Sequence, residues 1–514
     1  MNIVSKISVF AALVLFSACK KDLQFDDPST LTLDEASQIK GGLLKNTNSG
    51  MLRTLNAVHL GSVGVHYLCL ADQITSTNRF NEFWDFAQEP RKTLNNSDSY
   101  GGYGVIATPW AAFSQSNLDA NQVILFAKTG APVLDASGKD RTTDALAAAY
   151  FVKGVSQGYL GAIYDRGIIV DKPSSEIETP SDYNNSYKEM IVNGVQYLDS
   201  AIAVAERASS FEFDFIPGQP LTKTEFIQWS NSMAARIMAS VARDKAEAAA
   251  LGSAFWNKVY DYASKGLTDD LLNSYTTDGF YHGTIDWSIA LLGDGAGYLP
   301  VDIKAAWIAD NTGTHPDYYP ATGSLAQVET DDQRFYEYFG YISAFGFLRA
   351  DRNRGLFTNY YRIRWDNDVN TVADPGAIAP LFLAEENRLL MAEAKMYAGD
   401  LAAAAALLND AAAKRKAAGQ LGDVAATEAD IRKALHHEYT IEIDNAGGIL
   451  PPWAFMRRND LLIGGTPTEF PVPVVQMNVI LAQPYTFGGV ANFGAKGKFN
   501  ETTTAANVGW KASQ

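Results

Sequence analysis

Aromatic, amide and charged side chains crowd together between Thr75 and Ile106, in the run STNRFNEFWDFAQEPRKTLNNSDSYGGYG, where neither a helical nor a strand period can be read. An irregular stretch of this length inside a compact protein is commonly a functional loop. Its residue types suit recognition by contact: a flat indole can stack on the apolar face of a ring, and planar polar groups can hydrogen-bond its substituents. Trp84 is the centre of that pattern, with Arg79, Asn81 and Asp85 as polar neighbours. The same spacing also allows Trp84 to pack into a core with Phe83 and Phe86. Trp287, Trp307, Tyr318 and Tyr319, in a second aromatic-rich stretch, are candidates for the other side of a platform.

Catalytic and metal-binding patterns are weak by comparison. His436-His437-Glu438 lacks the HExxH spacing that places two imidazoles on one helix face. Asp366, Asp368 and Asn370 imitate the start of a calcium loop, but Thr371 stands where Gly is needed and Ala377 where the closing Glu belongs. Gly-x-Ser-x-Gly and P-loop patterns are absent from the sequence. Pairs of carboxylates occur by number alone, so a glycosidase is the lesser expectation. The sequence points to no metal or cofactor.

The elements that must hold these residues are mostly helical. Ala379 to Ala418 reads as a helical hairpin: Leu383, Leu390, Ala394 and Tyr397 form an apolar stripe, with Glu385, Glu386, Arg388, Glu393 and Lys395 between them. Gly399-Asp400 supplies a C-cap and a new N-cap, and the second helix is expected from Leu401 to Ala418. Further helices are expected over Leu33–Leu44, Val58–Gln73, from Pro109 onward, and over Thr142–Tyr164, Tyr187–Ala208, Phe226–Arg243, Ala254–Ser264 and Glu428–Ile443. Gly154, Gly158 and Gly161 mark a face for close helix packing. Trp110, Trp229 and Trp256 fall within helical periodicity and read as core. Gly266 to Ile378 is rich in Gly, Asp, Tyr and Trp, with short candidate strands at Tyr338–Phe347 and Asn359–Trp365.

The chain has 514 residues and a formal net charge of -16, which argues against a phosphate-neutralising surface and hence against nucleic acid. Lys6, the apolar run Ile7 to Phe16 and Phe16-Ser17-Ala18-Cys19 form a targeting segment too short to span a bilayer. It resembles a bacterial lipoprotein signal that leaves Cys19 as the acylated first residue. Of the two cysteines, Cys69 then has no partner and reads as a buried thiol.

Taken in order, these features resemble the SusD/RagB family of outer-membrane nutrient-binding lipoproteins of Bacteroidetes. The resemblance rests on Cys19 with its polar tether; on Trp110, Asn117 and Asn121 in WAAFSQSNLDAN; and on Ser186-Tyr187 through Leu198-Asp199-Ser200-Ala201-Ile202. It continues through Ala384-Glu385, Ala392-Glu393-Ala394, Gly399-Asp400, Glu438 with Glu442, and Phe470-Pro471-Val472-Pro473. Tyr439 stands where the family usually has Arg, and Asn445 to Arg458 is richer in Pro and Gly than the usual basic stretch. The resemblance implies a mainly α fold: tetratricopeptide-like helical hairpins form a scaffold, with long loops and short β elements inserted. Residues 1–18 would be the signal peptide and 19–514 one SusD-like domain, with the loop-rich insertion at about 266–378. It further implies a non-catalytic, lipid-anchored protein of the outer membrane, facing the cell surface, that delivers glycans to a SusC-like TonB-dependent transporter. The family's ligand sites lie in variable loops, so the expected ligand residues are those chosen above on physical grounds: Trp84, Asn81, Arg79, Trp287, Trp307, Tyr318 and Tyr319. A peptide-binding or scaffold protein of tetratricopeptide type is the alternative, ahead of a surface glycoside hydrolase.

Overall fold

The computed structural model describes residues 41–77, 80–172, 182–274, 299–319, 325–343, 356, 358–365, 378–489 and 509–512. The expected helix over Leu33–Leu44 lies largely outside them, as do Cys19, Arg79, Trp287 and the Asp366–Asn370 loop. The helices used below are α1 (Gly42–Val58), α2 (Gly61–Leu70), α3 (Phe83–Ala87), α4 (Gly104–Lys128), α5 (Thr142–Ile163), α6 (Tyr187–Arg207) and α7 (Lys223–Ala239). They continue as α8 (Gly252–Ser264), α9 (Ile303–Ala309), α10 (Ala384–Tyr397), α11 (Leu401–Asn409), α12 (Glu428–Ile441) and α13 (Pro451–Arg458).

Helices α1, α4, α5, α6, α7, α8 and α10 pack in series, each against the next, as stacked hairpins do. The tightest seam is α5 against α6. A Cβ added at Gly154 would lie 2.9 Å from the Gly194 carbonyl oxygen, and one at Gly194 only 2.6 Å from the Gly158 nitrogen. The two backbones touch, so the small face of α5 does what its spacing predicts. Helix starts are set by local chemistry: Ser186 with Glu189 and Thr222 with Glu225 form capping boxes at α6 and α7. Trp110, Trp229 and Trp256 are buried, and Trp256 stacks on Tyr397 with ring centroids 4.4 Å apart.

The Ala379–Ala418 hairpin departs from its expected extent, and its acidic residues are placed where spacing alone does not show. Gly399 is left-handed at φ 86° and the Asp400 side chain caps α11, as expected. The second helix, however, ends at Asn409 instead of Ala418. Asp410 Oδ1 accepts from Ala412 N at 2.8 Å, and the Asn409 amide pairs with both backbone groups of Val424, so side chains take over the role of the helical ladder. The acidic face of α10 is not solvated either. Glu386 receives Arg236 Nε at 2.7 Å, and Glu393 receives Arg458 Nε and Nη2 at 2.8 and 2.6 Å, all four residues being buried. Arg334 likewise donates to Glu438 and Asp332. Forked guanidinium–carboxylate geometry lets these charges sit in a core. Tyr439, the departure from the family pattern, stacks on Phe455 at 4.0 Å and accepts from Arg458 at 3.3 Å.

The stretch between α8 and α10 leaves and rejoins the stack at one place. Strand β3 (Leu271–Ser274) pairs antiparallel with β6 (Ile378–Phe382), from Leu271 opposite Phe382 to Ser274 opposite Ile378. The other paired segments described are β1 (Arg166–Gly167) with β2 (Asn185–Ser186), and β4 (Phe339–Tyr341) with β5 (Tyr360–Arg362). The latter two are the expected Tyr338–Phe347 and Asn359–Trp365 strands in shorter form. Among the described residues, no helix is long and apolar enough to cross a membrane.

Candidate functional site

The irregular Thr75–Ile106 segment is ordered by partners far away in the chain. Leu94 N donates to Phe487 O at 2.9 Å, and the Asn96 amide donates to Val472 and Tyr485 carbonyls while accepting from Val474 N. Phe470 N donates to Ile163 O, which threads the Phe470–Pro473 motif between the end of α5 and Asn96. Below the segment, the buried Arg91 guanidinium donates to Thr466 Oγ1, the Gln88 and Cys69 carbonyls and Asp72. A loop without its own ladder thus has its backbone groups satisfied by side chains and by the C-terminal tail.

These contacts frame a cavity of about 170 Å³. Leu70, Phe86 and Arg91 are buried in its floor, and Asp85, Lys92, Asn95 and Tyr100 lie towards its mouth. Tyr100 donates to Asp85 Oδ2 at 2.8 Å, and Lys92 Nζ lies 3.6 Å from Asp85 Oδ1. The arrangement offers the Tyr100 ring, an amide, a carboxylate and an ammonium above a floor of Leu70, Phe86 and Arg91, which is suited to reading hydroxyls on a compact ring.

Beside it the chain makes two successive left-handed residues, Asn81 at φ 47° and Glu82 at φ 58°. Such residues cost on the order of 1 kcal/mol each outside Gly and need support. His66 on α2 provides it: its Nε2 lies 2.8 Å from the Asn81 carbonyl, and its ring packs 4.6 Å from Phe83 and 4.7 Å from Phe86. Burial pulls the His66 imidazole down to about pKa 4, so near neutral pH it carries a single proton. Its Nδ1 lies 2.9 Å from the Ser62 carbonyl, one turn back in α2, so both ring nitrogens face acceptors and the single proton of the neutral ring can donate to one of them at a time.

The predicted site residues fall into distinct places. Asn81 is exposed. Trp84 is half-buried, packed against the core, and does not line the cavity. The exposed ring of its segment is Phe80, at 40%. Tyr318 is exposed at 64%, whereas Trp307 is buried edge-on to Trp510 at 4.9 Å, which removes it from any platform. Tyr319 is half-buried, and its hydroxyl donates to Asp302 beside Asp72 and Arg91, which ties its outer end to the floor. The two aromatic-rich stretches do meet, through the Ile74–Val301 bridge and Thr75 N to Pro300 O at 3.0 Å. Arg79 and Trp287 lie outside the described residues. The spacing analysis overlooked Phe80, Lys92, Asn95 and Tyr100; the Asn-Asn and Tyr-Gly-Gly-Tyr pairs were the available signal.

Burial drives the Cys69 thiol far above its usual range, so it is an inert core group. Among the described residues no group of three or more His, Cys, Asp or Glu is placed to hold a metal, and Glu438 is engaged with Arg334.

Neither a family model nor a curated protein matches the sequence. Solved structures do. A SusD superfamily protein from Parabacteroides distasonis aligns with TM-score 0.61 and 14% identity over 89% of this chain and all of that one. One from Bacteroides vulgatus aligns with TM-score 0.58 and 12% identity over 87% and 98%. A protein solved with xylogluco-oligosaccharide aligns with TM-score 0.53 and 13% identity over 86% and 85%. The chain therefore has the SusD-like fold that its sequence features resemble.

Proposed function

We propose that this chain is a glycan-binding lipoprotein of the outer membrane, anchored through Cys19 at the cell surface, that passes oligosaccharide to a SusC-like TonB-dependent transporter. The observation that carries the reading is the cavity of the Thr75–Ile106 segment, mounted on a SusD-like scaffold with Tyr100, Asp85, Lys92 and Asn95 at its mouth. Phe80, Asn81 and Tyr318 supply exposed groups on the two stretches that meet at the Ile74–Val301 bridge. A structural relative solved with xylogluco-oligosaccharide supports the ligand class. In this reading the protein binds and releases without catalysis, and Arg79, Trp84 and Trp287 remain proposed contacts.

Calorimetric titration against a panel of neutral and acidic oligosaccharides tests the ligand, with a peptide panel in parallel; binding of peptides alone would replace the glycan reading. Changing Cys19→Ala is expected to release the protein from the membrane fraction, since an acylated cysteine is its proposed attachment. Mild detergent extraction is expected to recover it together with an outer-membrane barrel, and recovery only as a free protein counts against the transport role.

A further inference from the structure

A second cavity, of about 260 Å³, lies between α4, α5 and the segment after β1, away from the Thr75–Ile106 loop. Its walls are mostly apolar: Trp110 and Leu118 from α4, Leu160 from α5, Ile168 and Val170 from the chain after β1, and Met190 from α6, with the half-exposed Ser114 and the buried Asn117 as the polar side chains. Polar contacts beside it tie the chain after β1 to α4 and α5. Lys153 Nζ donates to Asn121 Oδ1 and to Val170 O, both at 2.5 Å, and Asn121 Nδ2 donates to Lys172 O at 2.6 Å. Gly167 lets the chain run directly against Met190 and Trp110, since a Cβ there would meet Met190 Sδ at 2.7 Å.

One polar atom in this cavity is unspent. Asn117 is 2% exposed and lines the space; its Nδ2 donates to Gln157 Oε1 at 2.6 Å, but its Oδ1 receives no donor among the described residues. A buried acceptor without a donor is costly, and an empty apolar cavity costs the surrounding fold as well. A single guest relieves both if it has an apolar body and one donor. Dry apolar cavities of roughly 150 Å³ accept benzene, so this larger one has room for a fused bicyclic ring. No ionisable side chain lines it, which selects a neutral guest, and a sugar would leave most of its hydroxyls unpaired here.

We propose that this cavity binds a small neutral aromatic compound carrying one N–H or O–H donor directed at Asn117 Oδ1. This site is independent of the glycan reading, and neither stands or falls with the other. Indole and its donor-free isostere indene are the probes. The purified protein is expected to bind indole at least about tenfold more tightly than indene, the loss reflecting one hydrogen bond, and to show a raised Tm with indole. Val170→Trp, which fills the space while keeping the Val170 carbonyl, is expected to abolish indole binding at unchanged or higher Tm. Should that variant fold poorly, Leu118→Trp serves the same purpose from the opposite wall. Equal affinity for indole and indene, indole binding retained in a folded cavity-filled variant, or no binding of either probe overturns the proposal.

Discussion

The helical stack and the Thr75–Ile106 segment solve the burial of polar groups in opposite ways. In the stack, charge is buried in complementary pairs: Arg236 with Glu386, Arg458 with Glu393, and Arg334 with Glu438. Both members come from regular helices or their ends, and each fork is closed. In the irregular segment, Arg91 pairs with Asp72 but spends its other donors on Thr466 and on the Gln88 and Cys69 carbonyls, the Asn96 amide likewise reaches backbone carbonyls, and side chains such as Phe80 and Asn81 are left to face outward. The first arrangement makes a frame that tolerates no loose end. The second holds a loop in a fixed shape while leaving Phe80, Asn81 and Tyr100 available.

The largest effect is expected where a fork is opened. Glu393→Ala strands the Arg458 guanidinium in the core and is expected to cost about 3–5 kcal/mol in urea unfolding. Removing both partners as Glu393→Leu with Arg458→Met is expected to recover most of that loss. Glycan affinity per folded molecule should stay unchanged in both, and a change would mean that stack and loop are energetically joined.

Glu385 is the exception within the stack. It is buried, its Oε1 lacks a donor among the described residues, and burial followed by repulsion from Glu438 raises its carboxyl to about pKa 8. The unfolded carboxyl titrates near 4.5, so folding takes up a proton between about pH 4.5 and 8. Stability from this group is complete below that window and lost as pH rises through it. Glu385→Gln is expected to flatten the decline, by a few kcal/mol across the window. Glu438 behaves oppositely: burial pushes its carboxyl up, but Arg334 wins and holds it down to about 2, so its contribution is full above about pH 4.5 and lost as pH falls from there towards 2. Urea midpoints measured from pH 2 to 9 distinguish the two.

On the loop side, Tyr100→Ala is expected to weaken glycan binding by about 1–3 kcal/mol, as removal of a contact aromatic does, with little change in Tm because the ring is half-buried. Trp84→Ala is expected to lower Tm as well as affinity, because this half-buried proposed contact also packs against the core. Calorimetry and thermal unfolding on the same samples separate these outcomes.

Much of the frame could be read from residue spacing, because its signals are local. The glycines of α5, the Gly399-Asp400 junction and the buried Trp110, Trp229 and Trp256 are marked by the pattern of residues within a turn or two, even where the partner, such as Gly194 or Tyr397, is distant. Glu386 and Glu393 could not be read that way, since their arginines stand 150 and 65 residues away. In the loop, spacing could not rank Trp84 against Phe80 for a different reason. Two left-handed residues between Phe80 and Phe83 reset the direction of the chain, so spacing no longer tells which ring faces outward. Trp307 is drawn inward against the buried Trp510, again distant in sequence, whereas Tyr319 bonds Asp302, 17 residues before it, across a stretch with no regular period.

The smallest expected effect tests the loop most cleanly, and the backbone decides how to make it. Asn81→Ala would remove the side chain and also place Ala at φ 47°, adding about 1 kcal/mol of backbone cost that has nothing to do with ligand. Asn81→Gly avoids this, because Gly adopts that conformation freely and the carbonyl that meets His66 is kept. Stability is expected to change by less than about 0.5 kcal/mol, the relief of strain offsetting the greater freedom of the unfolded chain. If the Asn81 amide reads a hydroxyl, affinity should fall about two- to tenfold, the range of one hydrogen bond. Unchanged affinity in a variant of unchanged stability would remove Asn81 from the site and leave its backbone carbonyl, through His66, as the reason this position is shaped as it is.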